Sequence, residues 1–148
     1  MKKLPNFTLS LIDGSVLKSS AITSKMILFF YPKAMTPGCT IEVNEFQSNL
    51  NKFQNLAFTI IGCSKDPIEN NIKFAEKYKL KYSLASDLTD VCEKLGIWIE
   101  KSMYGKKYFG IDRSTFMIDS KGKLFKQWNK VKVKDHVKEV LEIAKNCP

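Results

Sequence analysis

The sequence predicts an α/β fold, a mixed central sheet flanked by helices with an N-terminal β-hairpin, in one domain spanning residues 1–148. Three observations carry the prediction. Apolar runs of strand length alternate with segments of helical periodicity, a hairpin signal stands near each end, and no low-complexity linker or internal repeat divides the chain. At 148 residues and 44% hydrophobic, the chain is long enough for one core and too short for two ordinary domains.

The elements follow in order. Phe7 to Leu11 and Ser15 to Leu17 flank Asp13-Gly14, a turn signal, and predict the first hairpin. Met26 to Tyr31 is β-branched and aromatic and stops at Pro32, as a buried strand does. Pro37 suits a first helical turn, where its missing N–H costs nothing, and Val43, Phe46, Leu50 and Phe53 continue one helical stripe. Leu56 to Cys63 reads as the next strand. Ser64-Lys65-Asp66-Pro67 opens a second helix with its stripe on Ile68, Ile72, Ala75 and Tyr78. Leu88, Val91, Cys92 and Leu95 predict a short third helix. Ser114 to Ile118 and Leu124 to Trp128 form a closing hairpin around Ser120-Lys121-Gly122-Lys123, and Val137, Val140, Leu141 and Ala144 a last helix.

Composition excludes several function classes. The net charge of +9 comes with lysines that alternate with valines at Lys130, Val131, Lys132, Val133 and Lys134, as in a solvated edge, and no aromatic–arginine platform or nucleic-acid module accompanies it. No nucleic-acid partner is expected. No apolar run approaches the roughly 18 residues of a membrane span, and the basic N-terminus leads into no sustained apolar segment, so a cytoplasmic protein without a membrane partner is expected. The four cysteines, Cys39, Cys63, Cys92 and Cys147, are too far apart for zinc pairs, and the sole histidine, His136, lies among lysines and is expected at the surface. Neither metal nor cofactor is expected. In a reducing compartment these cysteines are read as reactive or buried thiols rather than structural bridges.

One of them stands at a strand-to-helix junction. Cys39 follows Pro32-Lys33-Ala34-Met35-Thr36-Pro37-Gly38 and falls in the first turn of the predicted helix, facing unpaired N–H groups and the positive end of the helix dipole. Such a position favours a thiolate, the nucleophilic form. A small apolar residue facing the core is the alternative reading of the same position.

Pro32-x-x-x-Thr36-x-x-Cys39 resembles the active-site signature of the peroxiredoxins, thiol peroxidases on a thioredoxin-like fold. Tyr31-Pro32 and Thr36-Pro37-Gly38-Cys39-Thr40-x-Glu42 resemble the bacterioferritin-comigratory, or Q-type, subfamily. A second block agrees: Trp98, Glu100 to Lys106 and Gly110-Ile111-Asp112-Arg113-Ser114-Thr115-Phe116 resemble that subfamily's segment bearing the active-site arginine. The resemblance runs from about Leu4 to about Ala144. It implies a peroxidatic Cys39, a peroxide-binding Thr36, an Arg113 that favours the thiolate and donates to peroxide, and a Pro32 that shapes the pocket. Glu42 is expected to orient the arginine, Gly38 to contribute a backbone N–H and Tyr31 to pack beside the loop. Taken singly, Thr36 also fits a helix cap, Arg113 a surface ion pair and Pro32 a strand terminator.

The resemblance breaks at resolution of the oxidised cysteine. The subfamily places its second cysteine where this chain has Asn44, or on the next helix where the best match is Ala75. Cys63, at the end of a strand, Cys147, beside the C-terminus, and Cys92, on a helical stripe, are the remaining candidates. An external thiol reductant such as thioredoxin, glutaredoxin or glutathione is the leading expectation, with peroxides as substrates and a monomer or weak dimer as the assembly. Two other classes fit the fold. A thiol–disulfide oxidoreductase would need a second cysteine where Thr36 stands, and a non-catalytic binding or chaperone module would need none.

Overall fold

The computed structural model describes residues 2–148. Its elements in chain order are β1 (Lys2–Lys3), β2 (Thr8–Leu11), β3 (Val16–Lys18), β4 (Met26–Phe30), α1 (Pro37–Ser48), α2 (Leu50–Asn55), β5 (Thr59–Ser64), α3 (Ile68–Lys77) and β6 (Ser83–Ser86). These are followed by α4 (Val91–Lys94), β7 (Trp98–Met103), β8 (Lys106–Ile111), β9 (Ser114–Ile118), β10 (Lys123–Trp128) and α5 (His136–Ala144). Eight strands form one mixed sheet in the order β1-β10-β9-β4-β5-β6-β2-β3, and β7 and β8 form a separate two-stranded ribbon. The N-terminal hairpin pairs Leu9 with Leu17, as the Asp13-Gly14 turn predicts.

β4 is the axis of the sheet because every residue of it is buried. Ile27 and Phe29, with Tyr31 just beyond, enter one core with Val43, Phe46, Phe53, Phe74 and Val140, while Met26, Leu28 and Phe30 enter the other with Ile61, Cys63, Val91, Ile97 and Ile111. A strand covered on both faces reads as continuous apolar sequence, and this one does. Gly62 on β5 lets the Phe29 ring cross its neighbour: a Cβ there would lie 2.6 Å from Phe29 Cζ. β4 runs parallel to β5 and antiparallel to β9, with Phe30 opposite both Cys63 and Ser114. That register brings the loop after β4 beside the segment before β9.

The structure revises several expectations. The long helix through Phe53 breaks at Asn49, whose backbone and side-chain amide both donate to the Glu45 carbonyl; an asparagine competing for the helical acceptor ends α1 and lets α2 restart. Leu56 and Ala57 belong to the turn after α2, where Ala57 adopts φ +68°, so β5 starts later than expected. The buried face of α3 is Asn71, Phe74 and Ala75, with Ile68 only partly covered, because Asn71 is drawn inward by polar partners on β5 and β6. Leu88 is exposed and precedes α4 rather than lying on it.

His136 is buried, not at the surface. Its Nε2 lies 2.8 Å from Thr115 Oγ1, and its ring stands edge-on to Trp128. Burial pushes its pKa down to about 4. The unfolded chain, with an ordinary histidine near 6.5, therefore binds the proton first as pH falls, and stability from this residue is complete above 6.5 and is lost towards 4. Buried Glu42, raised to about 7, acts in the opposite sense over part of this window. The prediction is thus differential: chemical denaturation at pH 7 and pH 5 should show His136→Gln losing less stability on acidification than wild type, by on the order of 1–2 kcal/mol.

Candidate active site

Cys39 is the third residue of α1, after Pro37 and Gly38, and its side chain is fully buried. The first helical hydrogen bond, Thr40 N–H to Thr36 C=O at 2.9 Å, leaves the Gly38 and Cys39 N–H groups outside the helix's own ladder. The positive end of the helix thus faces the sulfur.

The loop that delivers this turn is pinned from below. Tyr31 N–H donates to the Cys63 carbonyl at 2.9 Å, continuing the β4–β5 pairing by one step. Ala34 N–H donates to Asp66 Oδ2 at 2.8 Å, and Ser64 Oγ donates to the same oxygen at 2.7 Å. Asn71 Nδ2 ties Ser64 Oγ to the Ala85 carbonyl. Met35 takes a left-handed φ of +70°, which turns the chain sharply before the helix. Thr36 Oγ1 donates to the Lys33 carbonyl at 2.8 Å and makes no helix-capping bond, so its lone pairs are free to accept.

Arg113 arrives from the junction of β8 and β9. Its carbonyl accepts from Val131 N–H, and the preceding residue, Asp112, donates its N–H to Ile97. The guanidinium then spans two groups of α1: Nη1 donates to Glu42 Oε1 at 2.7 Å, and Nη2 lies 3.4 Å from Cys39 Sγ. Glu42 is wholly buried and its Oε2 finds no partner among the described residues. Burial pushes its carboxyl up to about 7, against the downward pull of Arg113. The arginine is therefore anchored at one nitrogen and presented to sulfur at the other.

The structure thus brings together Cys39, Gly38, Glu42 and Arg113. Pro32 and Thr36 line an adjoining cavity of about 560 Å³ with Trp98, Lys101, Tyr108 and Phe109. Tyr31 packs in the same core as Cys39, but its hydroxyl turns to Asn71 Oδ1 at 2.5 Å. The other thiols lie apart from the site. Cys63 and Cys92 belong to the core on the opposite face of the sheet, and burial holds both thiols well above the ordinary range. Cys147 shares the core of Cys39 but sits at the other end of β4, near Lys25 and Asp119. All four cysteines are free.

Sequence reading missed the groups that hold the loop, Ser64, Asp66 and Asn71, and it missed Lys101 in the cavity wall. Asn71 left one signal, an amide between positions of an apolar stripe. Ser64 and Asp66 showed only as the opening of a helix, and Lys101 only as one residue of the block around Arg113.

A sheet with a buried thiol at the head of the helix after its central strand, faced by an arginine, defines a thioredoxin-fold thiol enzyme. Comparison with known proteins narrows the class. The AhpC/TSA family profile matches residues 1–127. The chain is 44% identical to Peroxiredoxin Bcp of Bacillus subtilis over 147 residues, covering 98% of this chain and 94% of that one. It is 38% identical to Peroxiredoxin Bcp of Escherichia coli over 143 residues, covering 95% and 92%. Among solved structures, Peroxiredoxin Q of Xanthomonas campestris superimposes with a TM-score of 0.88 at 35% identity, covering 95% and 90% of the two chains. The chain belongs to the AhpC/TSA family, and it is a thiol-dependent peroxidase of the Bcp, or Q-type, kind.

Gly38 offers a test of the arginine contact. A Cβ at this position would lie 3.2 Å from Arg113 Nη2. Gly38→Ala should push the guanidinium a few tenths of an ångström from its place beside the sulfur while leaving helix α1 intact. Iodoacetamide labelling of Cys39 at pH 7 should slow several-fold in the variant, with unchanged circular dichroism; an unchanged labelling rate would count against the contact.

Proposed function

We propose that the chain works as a single catalytic domain in which Cys39 is the peroxidatic nucleophile, with reduction of its oxidised form by an external thiol. One observation carries the reading: a single guanidinium contacts both Cys39 Sγ and the buried Glu42 carboxylate. A guanidinium held 3.4 Å from sulfur sets a cationic donor beside the reacting atom and points it at whatever binds there.

The thiolate attacks the terminal oxygen of the hydroperoxide. An S–O bond forms, the O–O bond breaks, and the cysteine becomes a sulfenic acid while the other oxygen leaves with the electron pair. That oxygen takes up a proton to give water from H₂O₂ or an alcohol from an organic hydroperoxide. Donors aimed at the charge that develops on it lower the barrier. Arg113 and the backbone N–H groups of Gly38 and Cys39 are the donors in this scheme. Thr36, whose hydroxyl proton is engaged by Lys33, accepts the hydrogen of the peroxide. Pro32 shapes the wall, and Glu42 positions the arginine.

Separation of Cys63, Cys92 and Cys147 from the site supports the external route. A thiol attacks the sulfenic sulfur, an S–S bond forms and water leaves; a second thiol then releases Cys39 and carries away the disulfide. Thioredoxin, glutaredoxin and glutathione fit this step. A bacterial relative, the Xanthomonas campestris bacterioferritin comigratory protein, is described by its alkyl peroxide reduction activity, which supports organic hydroperoxides as substrates here. No helix among the described residues is long and apolar enough to cross a membrane. A cytoplasmic monomer or weak dimer accords with this reading.

Peroxide consumption with dithiothreitol tests the assignment directly. Cys39→Ser should abolish turnover in a folded protein, and Arg113→Ala should slow the peroxide step by roughly 100- to 1,000-fold. Full activity in Cys39→Ser would refute the nucleophile. Peptide mapping after one equivalent of peroxide should trap a sulfenic acid at Cys39 and no internal disulfide; a bridge from Cys39 to any other cysteine would replace the external route with an internal one.

A further inference from the structure

Lys101 has no part in the peroxide chemistry described above, yet the fold makes room for it. Its stem crosses β8 at Gly110, where a Cβ would lie 3.3 Å from Lys101 Cδ and 3.5 Å from Cε. Nζ donates to the Ile111 carbonyl at the end of that strand, two residues before Arg113. No carboxylate among the described residues pairs with it. Asp112, the carboxylate that acts on its charge, uses Oδ1 to accept the Lys130 N–H. Burial pushes the Lys101 pKa down; Asp112 and Cys39 act upward on it and Arg113 downward, so the ammonium lies within the electrostatic field of the catalytic site.

The cavity around it is polarised. Trp98, Met103, Tyr108 and Phe109 form one apolar wall, with the Trp98 and Phe109 rings stacked at 6.4 Å, and Pro32 and Thr36 form the side shared with the catalytic loop. Of the charged groups in the wall, Lys65 is engaged by Asp87 at 3.1 Å and Glu93 at 2.8 Å. Asp66 is engaged by Ala34 and Ser64. Neutral donors leave Asp66 its negative charge, but Lys33 and Lys101, with no carboxylate paired to either among the described residues, outnumber it, so the wall is net positive. At about 560 Å³ the space suits a small organic molecule and exceeds what hydrogen peroxide needs.

We propose that this cavity is a carboxylate-binding subsite, with Lys101 as its anchor and the aromatic wall as the seat of a short carbon chain. The inference rests on Cys39 as the reacting group. Its occupant is a carboxylate-bearing small molecule that reacts there, either as the hydroperoxide or as the low-molecular-weight thiol that reduces the sulfenic acid. An ammonium that keeps only one carbonyl partner has two donors left for a carboxylate, and a partly desolvated cation binds an anion more strongly than one in bulk water.

The test compares matched pairs in wild type, Lys101→Met, Lys101→Arg and Gly110→Ala. One pair is an ω-carboxy alkyl hydroperoxide and its methyl ester; the other is 3-mercaptopropionate and its methyl ester as reductant. In Lys101→Met the preference for the charged member, as a ratio of kcat/KM values, should fall roughly 5- to 10-fold, the size of one ionic contact of about 1 kcal/mol. It should fall less in Gly110→Ala, persist in Lys101→Arg and weaken with added salt in wild type. A change in the hydroperoxide pair assigns the carboxylate to the oxidant, and a change in the thiol pair assigns it to the reductant. An unchanged ratio in both pairs, including equal losses for charged and neutral members, overturns the subsite. Failure of wild type to turn over even the neutral pair would instead count against the peroxidase chemistry at Cys39.

Discussion

A buried ion pair joins two segments 71 residues apart in the chain: Arg113 Nη1 on Glu42 Oε1. Neither charge is comfortable alone. Glu42 is fully enclosed and its carboxyl is raised by burial, so removing the guanidinium would push it further towards the protonated form and leave a buried acid without its partner. Because the pair already fixes the arginine, the second nitrogen reaches Cys39 without any further ordering of a long side chain. Preorganisation of this kind is what the proposed peroxide step needs, since the donor would be in place before charge develops.

The pair in turn depends on the sheet. Phe30 stands opposite Ser114, so the chain leaves β4 towards the active loop at the level where Arg113 enters β9. A one-residue slip of β9 against β4 would send Phe116 and Ile118 to the wrong face and carry Arg113 away from α1. The two cores on either side of β4 make that slip costly. The loop has its own support, running from Ala34 N–H through Asp66 and Ser64 to Asn71 and the β6 carbonyl of Ala85.

Much of this was legible in the chain. Continuous apolar sequence from Met26, the proline-bracketed loop and the position of Cys39 in a first helical turn all follow from local rules, and the Arg113 block followed from resemblance. What escaped has physical reasons. β6 is Ser-Leu-Ala-Ser, too small and polar to read as a strand, and is held there by hydrogen bonds to Asn71. The β7–β8 ribbon is largely exposed and lysine-rich, so it shows no clean alternation; its Tyr104-Gly105 turn, with both residues at positive φ, was its one marker. His136 looked solvated among lysines because its partners, Thr115 and Trp128, are distant in sequence. Lys101 lay inside the recognised block, but nothing local set it apart from the other lysines there.

The central sheet also acts as a partition. With Cys63 and Cys92 behind it and Cys147 at the far end of β4, three of the four sulfurs are packed into the cores away from Arg113. Such positions tolerate other small apolar residues at modest cost. Under the proposed external route, loss or relocation of those cysteines leaves the half-reaction that consumes peroxide untouched, because the sulfur, the arginine and the loop that carry it lie across the partition from Cys63 and Cys92 and at the opposite end of β4 from Cys147.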